Sequence, residues 1–354
     1  MKTKDPTLAE RNLGLDLARI VFMFLIVLRH GTFQSGATTN AAALKVNYLM
    51  GVAINDLTAI AVNGFVLISA FFLCQQTFRL NRLFRLWRSV LFYSLGVLAV
   101  AWAIGFPLTA RSVLGGFLPV LTGTYWFISE YFLLVALAPF LNEVLTRLER
   151  RPFQALLGVL LTTHSLLPSL GVNTFSSGHG YTIGWFVVLY VTAAYMRRFG
   201  GEPAKMRSFV GYALATGVTF AWLGAKFVLK GRGIDLVAPD DYDFLPTFVA
   251  SVCCVRFFAA IDVRPDVLRR LIVRFAPLTL GVYLVHDHLL KHALWRDLLG
   301  IDRWAASPSW ALHVLGGVLS VYLVGSALEA LRRFVFTRLE RRHPERMPSM
   351  SATK

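Results

Sequence analysis

Leu13-Gly-Leu-Asp-Leu-Ala-Arg-Ile-Val-Phe-Met-Phe-Leu-Ile-Val-Leu-Arg-His30 is apolar enough to enter a bilayer, yet it carries Asp16, Arg19, Arg29 and His30. Ionisable groups are costly in hydrocarbon. A helix that keeps them turns them toward a protein interior, where they mark a functional path. Arg19 and His30 are eleven residues apart. At 100° per residue they fall about 20° apart around a helix and roughly 16 Å apart along its axis. One polar stripe is therefore expected over about half the hydrocarbon thickness. Arg29 lies about 100° off the His30 face, and near the helix end it is expected to snorkel outward.

The rest of the chain repeats the apolar pattern. Of 354 residues, 56% are hydrophobic and 16% charged, and the mean hydropathy is +0.57. A soluble protein of this size needs more surface charge. The reading is an all-α, polytopic membrane helix bundle. Ten apolar segments are expected to span, at 13–33, 50–74, 87–106, 125–142, 154–170, 181–196, 208–228, 244–261, 271–290 and 310–333. The fifth, with His164 and Pro168, is the weakest and is expected to be short or broken. The long first segment lacks a small-residue cleavage site and reads as an uncleaved helix.

The net charge of +16 does not point to nucleic acid, because the basic residues cluster between apolar segments. With both termini placed in the cytoplasm, the inside segments hold 26 of the 36 Lys and Arg and the outside loops eight. That bias follows the positive-inside rule. Residues 1–340 read as one transmembrane domain and 341–354 as a disordered cytoplasmic tail. The polar loop 228–244 is expected outside. Cys74, Cys253 and Cys254 have no metal-type spacing and read as small hydrophobes. No resident cofactor and no metal site are expected.

Several stretches together carry a resemblance. They are Arg19 with His30 after ten intervening residues, Asn63-Gly-Phe-Val-Leu-Ile-Ser69-Ala-Phe-Phe-Leu73, and Arg82-Leu-Phe-Arg85. Tyr125-Trp-Phe-Ile-Ser-Glu-Tyr131, Pro139-Phe-Leu-Asn142 and Gly281-Val-Tyr-Leu-Val-His286 complete the set. In order and spacing they resemble the acyltransferase-3 family of bacterial membrane acyltransferases, in its surface-polysaccharide O-acetyltransferase members. Phe65-Val66 and Ala70 depart from that family's Phe-Phe pair and glycine. The resemblance implies a multi-pass protein of the bacterial inner membrane. It also implies transfer of an acyl group, acetyl foremost, from cytoplasmic acyl-CoA to a sugar hydroxyl of a surface glycan or its lipid-linked precursor.

The residues allow the same chemistry. Acyl transfer from a thioester to a hydroxyl needs a base, and histidine titrates in the useful range. His30 is the candidate, as base or as acyl carrier, with Arg19 beside it in the catalytic set; a buried, hydrogen-bonded histidine is the bland reading. CoA phosphates call for Arg on the cytoplasmic side, which singles out Arg19, Arg82 and Arg85. An i,i+3 pair with Asp16 is the other reading of Arg19. Ser69, Trp126, Glu130, Tyr283 and His286 are candidates for the acceptor side; an aromatic belt is the leading, bland reading of Trp126, and a polar network between helices that of Glu130 and His286 taken singly. A transporter also suits ten helices with internal charges, but no internal repeat or matched pair of broken helices appears. A scaffold without activity is the third reading.

The topology is directly testable. Reporter fusions after Arg85, Arg150, Arg207 and Arg270 are expected to report cytoplasm, and fusions near Thr39 and Asp240 the outside. An outside signal after Arg85 would overturn the topology.

Overall fold

Asn12 starts the first helix. Its side-chain oxygen accepts from Leu15 N–H at 3.0 Å, as an N-cap does. Helix α1 (Leu13–Gln34) then runs until Gly36, which takes the left-handed φ of 73° that a helix exit favours. The computed structural model describes residues 11–342 except Phe78 and Ser176. The described residues are helical, with no strand among them.

The other elements follow in order. They are α2 (Lys45–Thr58), α3 (Ile60–Leu73), α4 (Leu80–Ala103), α5 (Ala110–Phe117), α6 (Trp126–Arg147) and α7 (Arg150–Leu161). A π-helical stretch at Thr162–Leu166 leads into α8 (Leu167–Ser169). Then come α9 (Ile183–Phe199), α10 (Lys205–Lys230), α11 (Leu245–Ala259), α12 (Asp266–Phe275), α13 (Thr279–His286) and α14 (Trp310–Arg342). A helix or an end-to-end helix pair thus lies at each of the ten apolar segments. Five are long and apolar enough to cross a membrane: Lys45–Leu73, Leu80–Ala103, Trp126–Arg147, Lys205–Lys230 and Trp310–Arg338. The rest are shorter, broken or charged; α9 and α11 have 17 and 15 residues. The expected tail begins at 341, but α14 continues to Arg342, and 343–354 lie outside the described residues, as do Lys2 and Lys4.

The interruptions have local causes. Pro168 has no N–H, so the carbonyl of His164 loses its helical donor. Ser177 Oγ donates to that carbonyl instead, at 3.3 Å. Between α12 and α13, Pro277 sits in a 3₁₀ turn, Ala276–Leu278. Between α2 and α3 the Arg29 guanidinium donates to the carbonyl of Asn55, which Ala59 N–H also uses. The guanidinium thus shares the last carbonyl of the i→i−4 ladder at the point where the helix breaks.

Helix α1 is the centre. It packs against α2, α3, α11, α12, α13 and α14. Gly31 faces Val318, and Ile20 accepts from Tyr322 OH, so α14 runs antiparallel to α1. Contacts at the start of α1 gather a basic end. Arg19 lies over Phe72, Arg197 reaches Gln75, Arg198 reaches the Leu145 carbonyl and Arg256 the Gly200 carbonyl. Loops at the far end meet around Arg29, Asn63 and Tyr242. The outward faces of α4, α10 and α14 carry exposed Phe92, Leu214, Val218, Leu319 and Leu323. In a chain whose helices satisfy their own backbone groups, such faces suit lipid.

Two close approaches depend on glycine. A Cβ at Gly14 would lie 2.0 Å from the Phe258 carbonyl oxygen, and one at Gly64 2.3 Å from the Phe22 ring. Phe22 is fully buried and edge-on to Phe258, so it has no room to turn away. Gly64→Ala is expected to cost about 1–3 kcal/mol through overpacking. Gly96→Ala, with nothing within 4 Å of the new Cβ, is expected to be neutral or slightly stabilising. Thermal midpoints of the two variants in detergent measure the difference, and equal midpoints would refute this account of the α1–α3 contact.

Candidate functional site

A cavity of about 630 Å³ lies inside the bundle. Its wall takes His30 from α1, Ser69 from α3, Trp126 from α6 and Tyr283 from α13, with Tyr242 from the loop before α11. Arg82, Arg85 and Arg88 from α4 and Arg332 and Arg333 from α14 line it as well, with Glu329. Val318 faces Gly31, beside His30. Arg332 is fourteen residues farther along α14, roughly 21 Å by the helical rise. The imidazole and the arginines therefore mark opposite ends of one space.

At the arginine end Glu329 organises the wall. It is 1% exposed. Arg332 donates to both its carboxylate oxygens at 2.7 Å, Tyr93 OH donates at 2.8 Å, and Arg333 lies at 3.2 Å. This bidentate pairing fixes the Arg332 plane. Five arginines against one glutamate leave this lining strongly cationic. Arg85 and Arg333 are exposed, so the end is open to its surroundings.

At the other end His30 meets a second histidine. The His30 and His286 ring centroids are 4.9 Å apart, at 52°. His286 is fully buried and does not line the cavity. Tyr283 OH donates to Asp287 at 3.0 Å, and Lys291 pairs with the same carboxylate at 3.1 Å. Aromatic rings close this end. Trp126 stacks on Tyr242 at 6.0 Å, and Tyr181 touches both, at 4.4 and 4.9 Å. Asn63 donates to the Tyr242 carbonyl at 2.7 Å and accepts from Trp185 at 2.9 Å, which fixes the loop over α3.

The cavity thus gathers His30, Ser69, Arg82, Arg85, Trp126 and Tyr283. It does not gather Arg19, Glu130 or His286. Arg19 pairs with Asp16 at 2.8 Å, and Arg11 bonds the same carboxylate. Glu130 sits against the backbone N–H of Ile183 at the start of α9. Arg29 overturns its expectation. It is 4% exposed, donating to the Asn55 and Asp240 carbonyls, pairing with the Asp240 carboxylate at 3.1 Å, and lying over the rings of Phe33 and Tyr242. The loop that folds back with Asp240 makes burial cheaper than snorkelling. Beside it His179, held by Asp241 at 2.8 Å, has its pKa raised by that hydrogen bond, while burial pushes the Asp241 carboxyl up.

Sequence reasoning missed Glu329, Arg332, Arg333, Arg88 and Tyr242. A signal existed for the first two: opposite charges three residues apart in an apolar segment, as with Asp16 and Arg19. Tyr242 carried none, because only tertiary folding brings its loop back.

The family model described as an acyltransferase domain, that of acyltransferase-3, matches residues 12–329. The chain belongs to the acyltransferase-3 family. It is therefore a membrane acyltransferase, and the match ends at Glu329, the residue that anchors the arginine wall. No curated protein and no solved structure matches the chain.

The Arg29–Asp240 pair ties α1 to the loop that closes the cavity. Asp240→Asn leaves Arg29 buried with carbonyl partners only. The expected cost is about 1–3 kcal/mol, below that of a fully buried pair because Asp240 stays 29% exposed. Limited proteolysis within 228–244 should quicken while the rest of the chain resists. Unchanged cleavage would show that the pair does not hold the loop.

Proposed function

We propose that this membrane acyltransferase moves an acyl group, acetyl foremost, from acyl-CoA to a sugar hydroxyl of a surface glycan or its lipid-linked precursor. One observation carries the reading: a single cavity with five arginines at one end and His30 at the other. Coenzyme A carries phosphates at one end and the thioester at the end of a long arm. Guanidinium groups match phosphate geometry and stay charged. The positive-inside bias of the loops supports a cytoplasmic arginine end, on the side where acyl-CoA is made. The arm then delivers the thioester toward His30.

The chemistry at that end is a proton transfer coupled to acyl transfer. His30 takes the proton of the acceptor hydroxyl as its oxygen attacks the thioester carbonyl. The C–O bond forms, the C–S bond breaks, and the proton passes from His30 to the departing thiolate. Trp126 offers a ring face for a sugar to stack on. Ser69 and Tyr283 line the same space, and Glu130 and His286 stand behind it as support. Arg19, held by Asp16 at the basic end, acts on the donor from outside the cavity. The enzyme would sit in a bacterial inner membrane.

Purified variants with acyl-CoA and glycan acceptor test the reading. His30→Gln is expected to lower transfer by about 10²–10⁴, the usual contribution of a positioned base. The double change Arg82→Ala plus Arg85→Ala should raise the acyl-CoA requirement roughly ten- to hundredfold and leave acceptor dependence alone. Near-normal transfer by well-folded His30→Gln would defeat the catalytic assignment. Unchanged donor dependence in the double variant would remove the arginines from the donor site.

A further inference from the structure

His286 Nδ1 lies 2.7 Å from the carbonyl oxygen of Val282. A carbonyl only accepts, so this nitrogen carries a proton. In a neutral imidazole the other nitrogen is then a lone pair. That nitrogen, His286 Nε2, is buried and has no hydrogen-bond partner. His30 Nδ1 is likewise buried and without a partner. The two rings face each other at 4.9 Å. Two orphaned nitrogens in adjoining rings are costly unless they serve each other.

We propose that His286 is a positioning residue for the acyl transfer, accepting a hydrogen bond from Nδ1–H of His30 so that the Nε2 lone pair of His30 faces the cavity. The inference rests on His30 as the base of the proposed reaction. The order is Val282 carbonyl, Nδ1–H of His286, Nε2 of His286, Nδ1–H of His30, then Nε2 of His30. A rotation of the His30 ring that brings its Nδ1–H onto His286 Nε2 gives every donor in that series an acceptor. When Nε2 takes the hydroxyl proton, His30 becomes an imidazolium. Its Nδ1–H is then a stronger donor, and the His286 lone pair is already in place to receive it. The proton leaves again from Nε2 to the thiolate, and His286 stays neutral throughout. Without His286 the lone pair that favours the working tautomer is lost, and the inactive one points an N–H at the hydroxyl.

Three measurements test this. His286→Phe keeps a ring but removes the acceptor; kcat is expected to drop about 10²–10⁴-fold, the range that a wrong tautomer or a misplaced base costs. KM for acyl-CoA and for the acceptor should stay within about threefold, since a positioning residue acts on the chemical step. His286→Gln, whose amide oxygen can accept from Nδ1–H, should recover most of the lost kcat. The double variant His30→Gln with His286→Phe should be no slower than His30→Gln alone. Nitrogen NMR of ¹⁵N-histidine-labelled wild type supplies a readout that needs no folded variant at 286. The signals that vanish in His30→Gln should report protonated Nδ1 and bare Nε2. The opposite tautomer in wild type would overturn the proposal, as would full kcat in His286→Phe or a Gln variant as slow as Phe. If His30→Gln is inactive while His286→Phe is not, this inference alone falls. If His30→Gln is active, the base assignment itself falls.

Discussion

A polar group withdrawn from water must find its partner inside the protein, and in a bilayer no solvent is at hand to replace a missing one. The helices of this chain are stitched together where that demand is met. Asn63 joins α3 to α9 and to the loop before α11. Asn142 bridges α6 to the Leu73 carbonyl at the end of α3 and accepts from Tyr190 on α9. Glu329 joins α14 to α4 through Tyr93. Arg29 joins α1, α2 and the loop before α11. Each contact fixes a helix register that apolar packing would leave free to slide. The cavity is the space these fixed registers enclose.

The same demand separates what the sequence could tell from what it could not. Helix positions were legible because apolar length and loop charge follow directly from the solvent each segment meets. His30 and Arg82 were legible because a charge at a helical phase or beside an apolar segment is visible in one dimension. Partner choice was not. Arg29 and Arg19 look alike in sequence, each in the first helix with a nearby function to serve. Asp16 stands three residues from Arg19 and engages it. The partner of Arg29 comes from Asp240, 211 residues away, and no local pattern announces it. Snorkelling was the natural expectation for a residue with no visible acid, and burial won once the loop returned one. The fifth segment shows the opposite case: Pro168 and His164 marked a weak helix in sequence, and the π-helical stretch sits there.

The cavity is asymmetric in a way that suits the proposed acyl transfer. Its cationic end is exposed, which in the proposed reaction leaves the way open for a flexible charged donor. Its imidazole end is closed by Trp126, Tyr242 and Tyr181, and in the proposed reaction these rings give way to a stacking sugar face. Such a layout answers a hazard of thioester chemistry. Water reaching the carbonyl beside a base would hydrolyse the donor. An aromatic closure that only an acceptor displaces keeps the base dry until a hydroxyl is present.

That dryness bears on the two histidines. In water an imidazole exchanges its tautomers freely, because solvent offers a donor and an acceptor to either nitrogen. Behind the aromatic closure it has only what the protein supplies. Val282 supplies one carbonyl, and that carbonyl sets the proton on His286. In the proposed arrangement the setting passes to His30 through the nearest lone pair, since the nitrogens between them have no other partner. A backbone oxygen four residues before His286, held in place by the helix α13, thereby decides which nitrogen of His30 meets the substrate. The carboxylate nearby, Asp287, is taken up by Tyr283 and Lys291, so in the proposed arrangement a neutral lone pair receives the Nδ1–H of His30.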